Sequence, residues 1–116
     1  MIMQPGDTIL VAHRRLFADD APRLFLGKVD HYEDGLVLAT GHSWIRSPTL
    51  GEFYRKSDQR SKIIALNSGM VMVYQLPRDL NLDDVVIETR DKHQSFLTDG
   101  KQFEMDITDH HTIGKP

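Results

Sequence analysis

The sequence predicts an all-β protein, built as a small and strongly bent antiparallel barrel. Two stretches support this prediction: residues 27–38 (GKVDHYEDGLVL) and residues 63–76 (IIALNSGMVMVYQL) are rich in β-forming residues, and each contains a glycine turn. A polar, basic insert separates the two stretches. With 116 residues, of which 40% are hydrophobic, the chain is long enough for one domain with a modest core.

The composition excludes several classes of protein. The chain has no cysteine, which excludes disulfide bonds, thiolate metal sites and cysteine nucleophiles. No apolar run approaches the ~20 residues of a membrane-spanning helix, and residues 1–7 (MIMQPGD) lack the basic and apolar regions of a signal peptide. We therefore expect a cytoplasmic protein without a membrane partner. The formal net charge of −3 weighs against a dedicated nucleic-acid-binding protein.

Three strands are expected in the first part of the chain. Residues 8–17 (TILVAHRRLF) are rich in β formers and show no helical periodicity. Residues 23–32 form the second strand and residues 36–45 the third. Gly27 and Gly41 lie inside these two strands, where an interior glycine marks a bend or the close approach of another backbone.

The connections are a turn and a loop. Residues 33–35 (EDG) predict a tight hairpin, because Asp-Gly accepts the positive φ angles of a type I′ turn. Thr49 and Glu52 have the spacing of a capping box, but Gly51 between them weakens any helix that follows. We therefore interpret residues 50–61 (LGEFYRKSDQRS) as a loop with at most one helical turn.

The fourth and fifth strands are expected at residues 62–67 and 70–76, joined by a turn at residues 67–69. Residues 70–74 (MVMVY) are apolar at every position, whereas a strand with one solvated face would alternate. Both faces of the fifth strand are therefore expected to be covered, either by another part of the chain or by a neighbouring subunit.

The C-terminal part predicts a β-hairpin. A final unit begins at residues 85–90, and residues 98–101 (TDGK) stand as a turn between two β-prone segments. Residues 108–116 are polar and are expected to fray. We predict one structural domain, in which a barrel over residues 1–78 is followed by a hairpin extension over residues 79–116, packed on or beside it.

The order of these elements resembles the Sm-like (Lsm) family of SH3-type small barrels. Residues 27–29 (GKV), 32–33 (YE) and 36–38 (LVL) are similar to the family's first motif, and residues 64–71 (IALNSGMV) to its second. The resemblance covers about residues 7–76 and implies a five-stranded barrel that assembles into a ring. The two turns lack the family's base-binding asparagine and its arginine-glycine pair, so the resemblance implies the assembly more directly than RNA recognition.

The basic insert is the candidate ligand-binding region. Residues 46–62 contain five basic residues against two acidic ones, together with aromatic residues. Basic groups neutralise phosphate and aromatic faces stack on bases, so this combination suits a single-stranded nucleic acid or another anionic partner. The alternative is a solvated loop whose aromatic residues pack against the barrel. The candidate residues are Trp44, Arg46, Tyr54, Arg55, Lys56, Arg60 and Asn67.

The histidines give no clear catalytic or metal site. No two of the six are spaced i, i+4, and His42 and Ser43 are adjacent on a strand, so their side chains point to opposite faces. We predict no catalytic residue, no metal site and no cofactor. A histidine site at a subunit interface, in a small enzyme, remains an alternative.

The fifth strand is the candidate interface. Met70, Met72 and Tyr74 alternate along it and form either core or a subunit contact, because a bare apolar edge strand invites aggregation. Pairing that edge with a neighbouring copy would cover it, and closed cyclic pairing would give a ring. We therefore predict a non-enzymatic binding or assembly module that forms a homo-oligomer, with a single-stranded RNA-binding protein as the alternative.

Overall fold

The computed structural model describes residues 2–14, 22–47, 51–90 and 94–108, and these residues form two antiparallel β-sheets. Their only helical element is one turn of 3-10 helix at Leu82–Asp84, so the all-β prediction is confirmed. No helix in the described ranges is long and apolar enough to span a membrane. The strands are β1 (Thr8–His13), β2 (Arg23–Glu33), β3 (Leu36–Arg46), β4 (Phe53–Arg55), β5 (Arg60–Ala65), β6 (Val71–Leu76), β7 (Val86–Arg90), β8 (Gln94–Thr98) and β9 (Glu104–Asp106).

Six strands form the main sheet. Their order is β4-β3-β2-β1-β6, and β5 is also paired with β3. The strand β3 is 11 residues long and divides one edge between two partners: residues 36–41 pair with β5 and residues 44–46 pair with β4. Within the described residues β5 and β6 each pair on one side only, so strand pairing leaves the sheet open rather than closing it into a barrel.

Two opposed glycines set the contact between the long strands β2 and β3. Gly27 and Gly41 lie directly opposite each other in the register. A Cβ atom added to Gly41 would stand 2.5 Å from the Cα of Gly27, and one added to Gly27 would stand 2.5 Å from the carbonyl oxygen of Thr40. The two backbones therefore approach more closely than any side chain allows, which confirms the close approach predicted for these glycines.

The hairpin that joins β2 to β3 has the predicted geometry. Asp34 and Gly35 have positive φ angles of 48° and 82°, as a type I′ turn requires. The turn fixes Glu33 opposite Leu36, and a bulge at Asp30 shifts the register between Val29 and His31. The bulge adds local twist to the strand pair.

The prediction of a loop over residues 50–61 is wrong. Phe53–Arg55 is a strand, and β5 begins at Arg60. The chain reverses because the Ser47 N–H donates to the Glu52 carbonyl at 2.7 Å, which brings β4 back alongside β3. Phe53 is buried, whereas Tyr54 and Arg55 are exposed, so this short strand packs against the core through one apolar side chain. Thr49 lies outside the described residues, and the predicted capping box with it.

The main sheet buries apolar side chains on both faces, because β1 is buried at five consecutive positions, residues 8–12. One face, here called the inner face, groups Met3, Ile9, Val11, Phe25, Val29, Val37, Ala39 and Ile64. Apart from Met3 these residues belong to the main sheet itself, so the sheet curves around its own side chains. The opposite, outer face supports the second core.

The second sheet, in the order β7-β8-β9, covers part of the outer face. Ile87, Leu97 and Ile107 pack there in one cluster with residues of the main sheet, among them Leu10 and Trp44. The predicted hairpin is confirmed as β8 and β9, with β7 as a third strand. Residues 109–116 lie outside the described ranges.

The strand β6 is covered mainly by the chain itself. Val71 and Val73 pack against the inner cluster, whereas Tyr74 and Leu76 pack against the outer one. Met72 is the exception, since 55% of its surface is exposed. The continuous apolar run predicted covering on both faces, and this prediction is confirmed only in part, because Met70 and Met72 are exposed.

Candidate functional site

The residues predicted to bind a ligand fall into separate places. Trp44 and Arg46 lie at the end of β3, and Tyr54 and Arg55 lie on the paired strand β4. Lys56 follows β4, where its backbone N–H donates to the Ser43 carbonyl at 2.8 Å. Arg60 begins β5, and Asn67 lies in the turn that follows β5. The structure therefore brings the first group together as a hairpin and leaves Asn67 apart from it.

Trp44 is part of the outer core and does not present a stacking surface. It is 5% exposed and packs in the same cluster as Phe53. Its indole N–H is buried without a hydrogen-bond acceptor in the described part of the chain. Of the two aromatic candidates, only Tyr54, with 50% of its surface exposed, could stack on a base.

Several arginines of the insert already have acceptors. Arg46 Nε donates to the Gly51 carbonyl at 3.1 Å, and this bond ties β3 to the hairpin turn. Arg60 Nη2 lies 3.1 Å from Asp58 Oδ2. Arg55 is held more loosely, at 3.9 Å from Asp83 in the 3-10 turn. These exposed pairs contribute little to stability, and their guanidinium groups could exchange a carboxylate for a ligand.

The turn that contains Asn67 and the turn between β2 and β3 meet at one end of the main sheet. The Leu66 N–H donates to the Gly35 carbonyl at 2.8 Å, so the turn after β5 rests against the β2–β3 turn. Asn67 is exposed beside this contact. Asn67 and Gly35 are therefore neighbours, as expected for two turns that contribute to one surface.

The proposed interface residues line the free edge of β6. Met70 and Met72 are 38% and 55% exposed, and the Tyr74 hydroxyl donates to the Met72 sulfur at 3.0 Å. The opposite end of the sheet has a comparable residue that the sequence reading missed. Ile63 on β5 is 73% exposed. Its signal in the sequence was the pair Ile63-Ile64, because on a strand only one of two adjacent residues can face the core.

The histidines form no metal site in the described ranges, where no group of three or more metal-binding side chains occurs. His31 Nε2 lies 3.1 Å from Glu33 Oε1 at the exposed end of β2. His13 lies at the end of β1 on the inner face, away from that pair. A metal site shared by His13 and His31 therefore has no geometric support within one chain.

Comparisons with known proteins add no assignment. No protein-family model, no curated protein and no solved structure matches this chain. The candidate functional surfaces are therefore the basic hairpin, the two adjoining turns and the free sheet edges.

Proposed function

We propose that this protein is a non-enzymatic binding and assembly module that forms a homo-oligomer through strands β5 and β6. In this proposal the main sheet acts as an Sm-like, SH3-type small barrel, and the second sheet is an addition to it. The observation that carries the proposal is the pair of free sheet edges in the described structure, each with exposed apolar side chains.

A free edge presents unpaired backbone N–H and C=O groups to any strand that approaches it. Both β5 and β6 pair with one neighbour only among the described strands. Neither edge is protected by a proline within the strand, and β6 has no charged residue at all. A second copy of the chain would satisfy these backbone groups by extending the sheet.

The exposed apolar residues of the two edges lie on the same face of the sheet. Ile63 is opposite Leu38, and both side chains project away from the inner cluster that contains Ile64. Met72 is opposite Ala12, which belongs to the outer cluster. A sheet continued from β5 of one copy to β6 of the next would therefore keep Ile63 and Met72 on one common face, where they could be buried together.

The arrangement of the motifs also supports an Sm-like assignment. Gly27 lies inside the long strand β2, Tyr32 and Glu33 end that strand, and Leu36 begins β3. The second motif spans β5, the turn with Asn67 and the start of β6. The first motif spans the adjacent antiparallel strands β2 and β3, whereas the strands of the second motif, β5 and β6, pair with β3 and β1 at two edges of the same sheet.

Light scattering after size exclusion, over a range of protein concentrations, tests the proposal. The expected mass is a stable multiple of 13.3 kDa. Met72→Lys and Ile63→Lys should each shift the protein towards monomer, because burying an unpaired ammonium group at the contact costs several kcal/mol. Val86→Lys is the matched control, since Val86 is 46% exposed on the second sheet, away from both edges.

Three results would contradict the proposal. The first is a wild-type protein of 13.3 kDa at every concentration. The second is an oligomer that both edge substitutions leave intact, and the third is dissociation by Val86→Lys alone. Circular dichroism of each variant shows that a change of mass does not come from unfolding.

A second candidate is binding of single-stranded RNA, favoured by the exposed ring of Tyr54 on β4 and by the exposed Arg55 that follows it on the opposite face of the strand. Fluorescence anisotropy with a labelled single strand at low salt should then detect salt-dependent binding. Tyr54→Ala should weaken it by about tenfold or more, and Arg55→Ala or Arg60→Ala should reduce the salt slope by about one. Lys101→Ala on the second sheet is the control. Absence of binding at low salt would exclude this candidate.

A further inference from the structure

The inner face of the main sheet changes from apolar to cationic at one end. Along β1 the inner residues are Ile9 and Val11, and the next residue on that face is His13. Along β2 the inner row runs back from Val29 through Phe25 to Arg23. Because Ala12 is opposite Leu24, the same register places His13 opposite Arg23. Two basic side chains therefore end adjacent strands on the same face.

A lysine from the other side of the curved sheet reaches the same end. Lys62 on β5 shares the inner face with Ile64, since the two are separated by one residue. Its Nζ donates to Ser43 Oγ at 3.1 Å and lies 4.9 Å from the centre of the Phe25 ring. Phe25 and Ser43 are opposite each other in the register, so they fix the ammonium group near the end of the inner face.

Within the part of the chain that the structure describes, no carboxylate balances the three basic groups. Among the described residues no aspartate or glutamate makes an ion pair with Lys62, Arg23 or His13, although such pairs occur elsewhere, for example at Asp58. Burial, then Arg60 and Arg23, lower the pKa of Lys62. Burial, then Lys62 and Arg23, lower the pKa of His13. The like charges thus interact across the sheet and destabilise one another.

Basic side chains that end three strands on one face, two of them half-buried (His13 and Lys62) and one exposed (Arg23), are suited to bind an anion. An ammonium, a guanidinium and an imidazolium can all donate charge-assisted hydrogen bonds to the oxygens of one tetrahedral group, and the Ser43 hydroxyl adds another donor. The two permanent charges match a dianion. A protonated His13 would add a third charge.

We infer that the end of the inner face binds a phosphate-sized oxyanion through His13, Arg23, Lys62 and Ser43. This inference deepens the binding part of the proposed function by giving the ligand a chemical class, a doubly charged phosphate group. It differs from the predicted basic insert, of which it uses only Lys62. Calorimetry measures anion binding, whereas light scattering measures the mass of the assembly. A failure to bind the anion and a failure to assemble are therefore separate results.

The site couples binding to proton uptake. Arg23 faces His13 from β2, Lys62 faces it from β5, and the residue opposite it on β6 is the uncharged Val71. A bound anion attracts the basic groups that otherwise repel one another, and it therefore favours the protonated form of the His13 ring. Sulfate keeps its two charges near neutral pH. An increase in sulfate affinity as the pH falls from about 8 to about 6 would therefore come from protonation of the protein and not of the ligand.

Isothermal titration calorimetry of the full chain with inorganic sulfate and inorganic phosphate tests the site. We expect saturable binding with a dissociation constant at or below about 1 mM. Lys62→Met keeps the aliphatic stem and should weaken sulfate binding by about tenfold or more. Lys101→Met is the matched control, because Lys101 is an exposed lysine in the turn between β8 and β9, and it should bind sulfate as the wild type does. Titration with a nucleoside monophosphate distinguishes a preference for a phosphate ester from a preference for free phosphate.

The melting temperature of each variant separates a loss of anion binding from a loss of folding. Without an anion, Lys62→Met should melt at or above the wild-type temperature, because it removes repulsion from Arg23 and Arg60. If Lys62→Met fails to fold, Arg23→Gln on the exposed end of β2 replaces it, with the same expected loss. The site is overturned if no saturable binding occurs at anion concentrations of about ten times the expected constant, or if Lys101→Met loses binding as strongly as Lys62→Met. It is equally overturned if His13→Gln leaves the pH dependence of sulfate affinity unchanged.

Discussion

Replacing Gly41 by alanine should disrupt the centre of the main sheet. An alanine Cβ at this position would overlap the backbone carbonyl of Leu26 and stand 2.5 Å from the Cα of Gly27. Both obstacles are backbone atoms, so no side chain can rotate away to make room. The strands β2 and β3 would have to move apart at the point where they are closest.

The cost follows from the size of that movement. Ordinary carbon–carbon contacts lie at about 3.5–4.0 Å, so the two backbones must separate by about 1 Å or more. Overpacking of this kind costs about 1–3 kcal/mol. The separation also weakens about two ladder hydrogen bonds, each with a net value of about 1 kcal/mol. We therefore expect Gly41→Ala to lower the free energy of unfolding by about 3–5 kcal/mol, a large part of the total for a domain of this size.

Urea unfolding followed by circular dichroism at 25 °C measures the effect. Gly69→Ala is the matched control, because Gly69 has a positive φ of 79° and no atom within 4 Å of the added Cβ. The control should lose about 1–2 kcal/mol, the cost of a left-handed backbone in a residue with a side chain. A Gly41→Ala protein that loses no more than the control would refute the argument that close backbone contact shapes this sheet.

Three further predictions concern the core, a polar contact and pH. Leu97→Ala should lower the free energy of unfolding by about 2–5 kcal/mol, because Leu97 is fully buried between the sheets; a loss below that of an exposed Val86→Ala control would contradict this packing. Asp7→Asn should cost about 1–3 kcal/mol in urea unfolding, since the Asp7 carboxylate accepts from Arg78 at 2.7 Å and from the Gln75 amide at 3.2 Å; an unchanged midpoint would show that this contact is not formed in solution. The free energy of unfolding should fall as the pH drops below about 6.5, because the pKa of His13 is lower in the folded protein than in the unfolded chain; His13→Gln should remove part of this slope, and an identical slope would assign it to other groups.

The sequence was a good guide wherever one local rule fixed the structure. The turn at Asp34-Gly35 and the hairpin at residues 98–101 were predicted correctly, since their dipeptides prescribe the backbone angles or the reversal. The prediction failed at β4. A three-residue strand gains almost all its stability from its partner β3, and its own composition resembles that of a polar loop.

The candidate site was predicted in part. The basic character of residues 46–62 was correctly identified, but the sequence could not show that Trp44 is buried or that Lys62 turns to the inner face. Nor could the sequence show that His13 and Arg23 lie on the same face as Lys62, because strand register decides which side chains share a face. A register shift of one residue would turn every side chain of the strand to the opposite face.

By itself, then, the sequence determined the all-β class, the glycine and turn positions, and the absence of thiol chemistry. These depend on the preferences of single residues and of short segments. The tertiary structure alone decided that β1 is buried on both faces, that Ile63 and Met72 remain exposed on one face, and that the basic side chains of His13, Arg23 and Lys62 lie near one end of the inner face. The physical reason is that burial and charge density arise from the pairing of strands distant in the chain, and no local preference encodes that pairing.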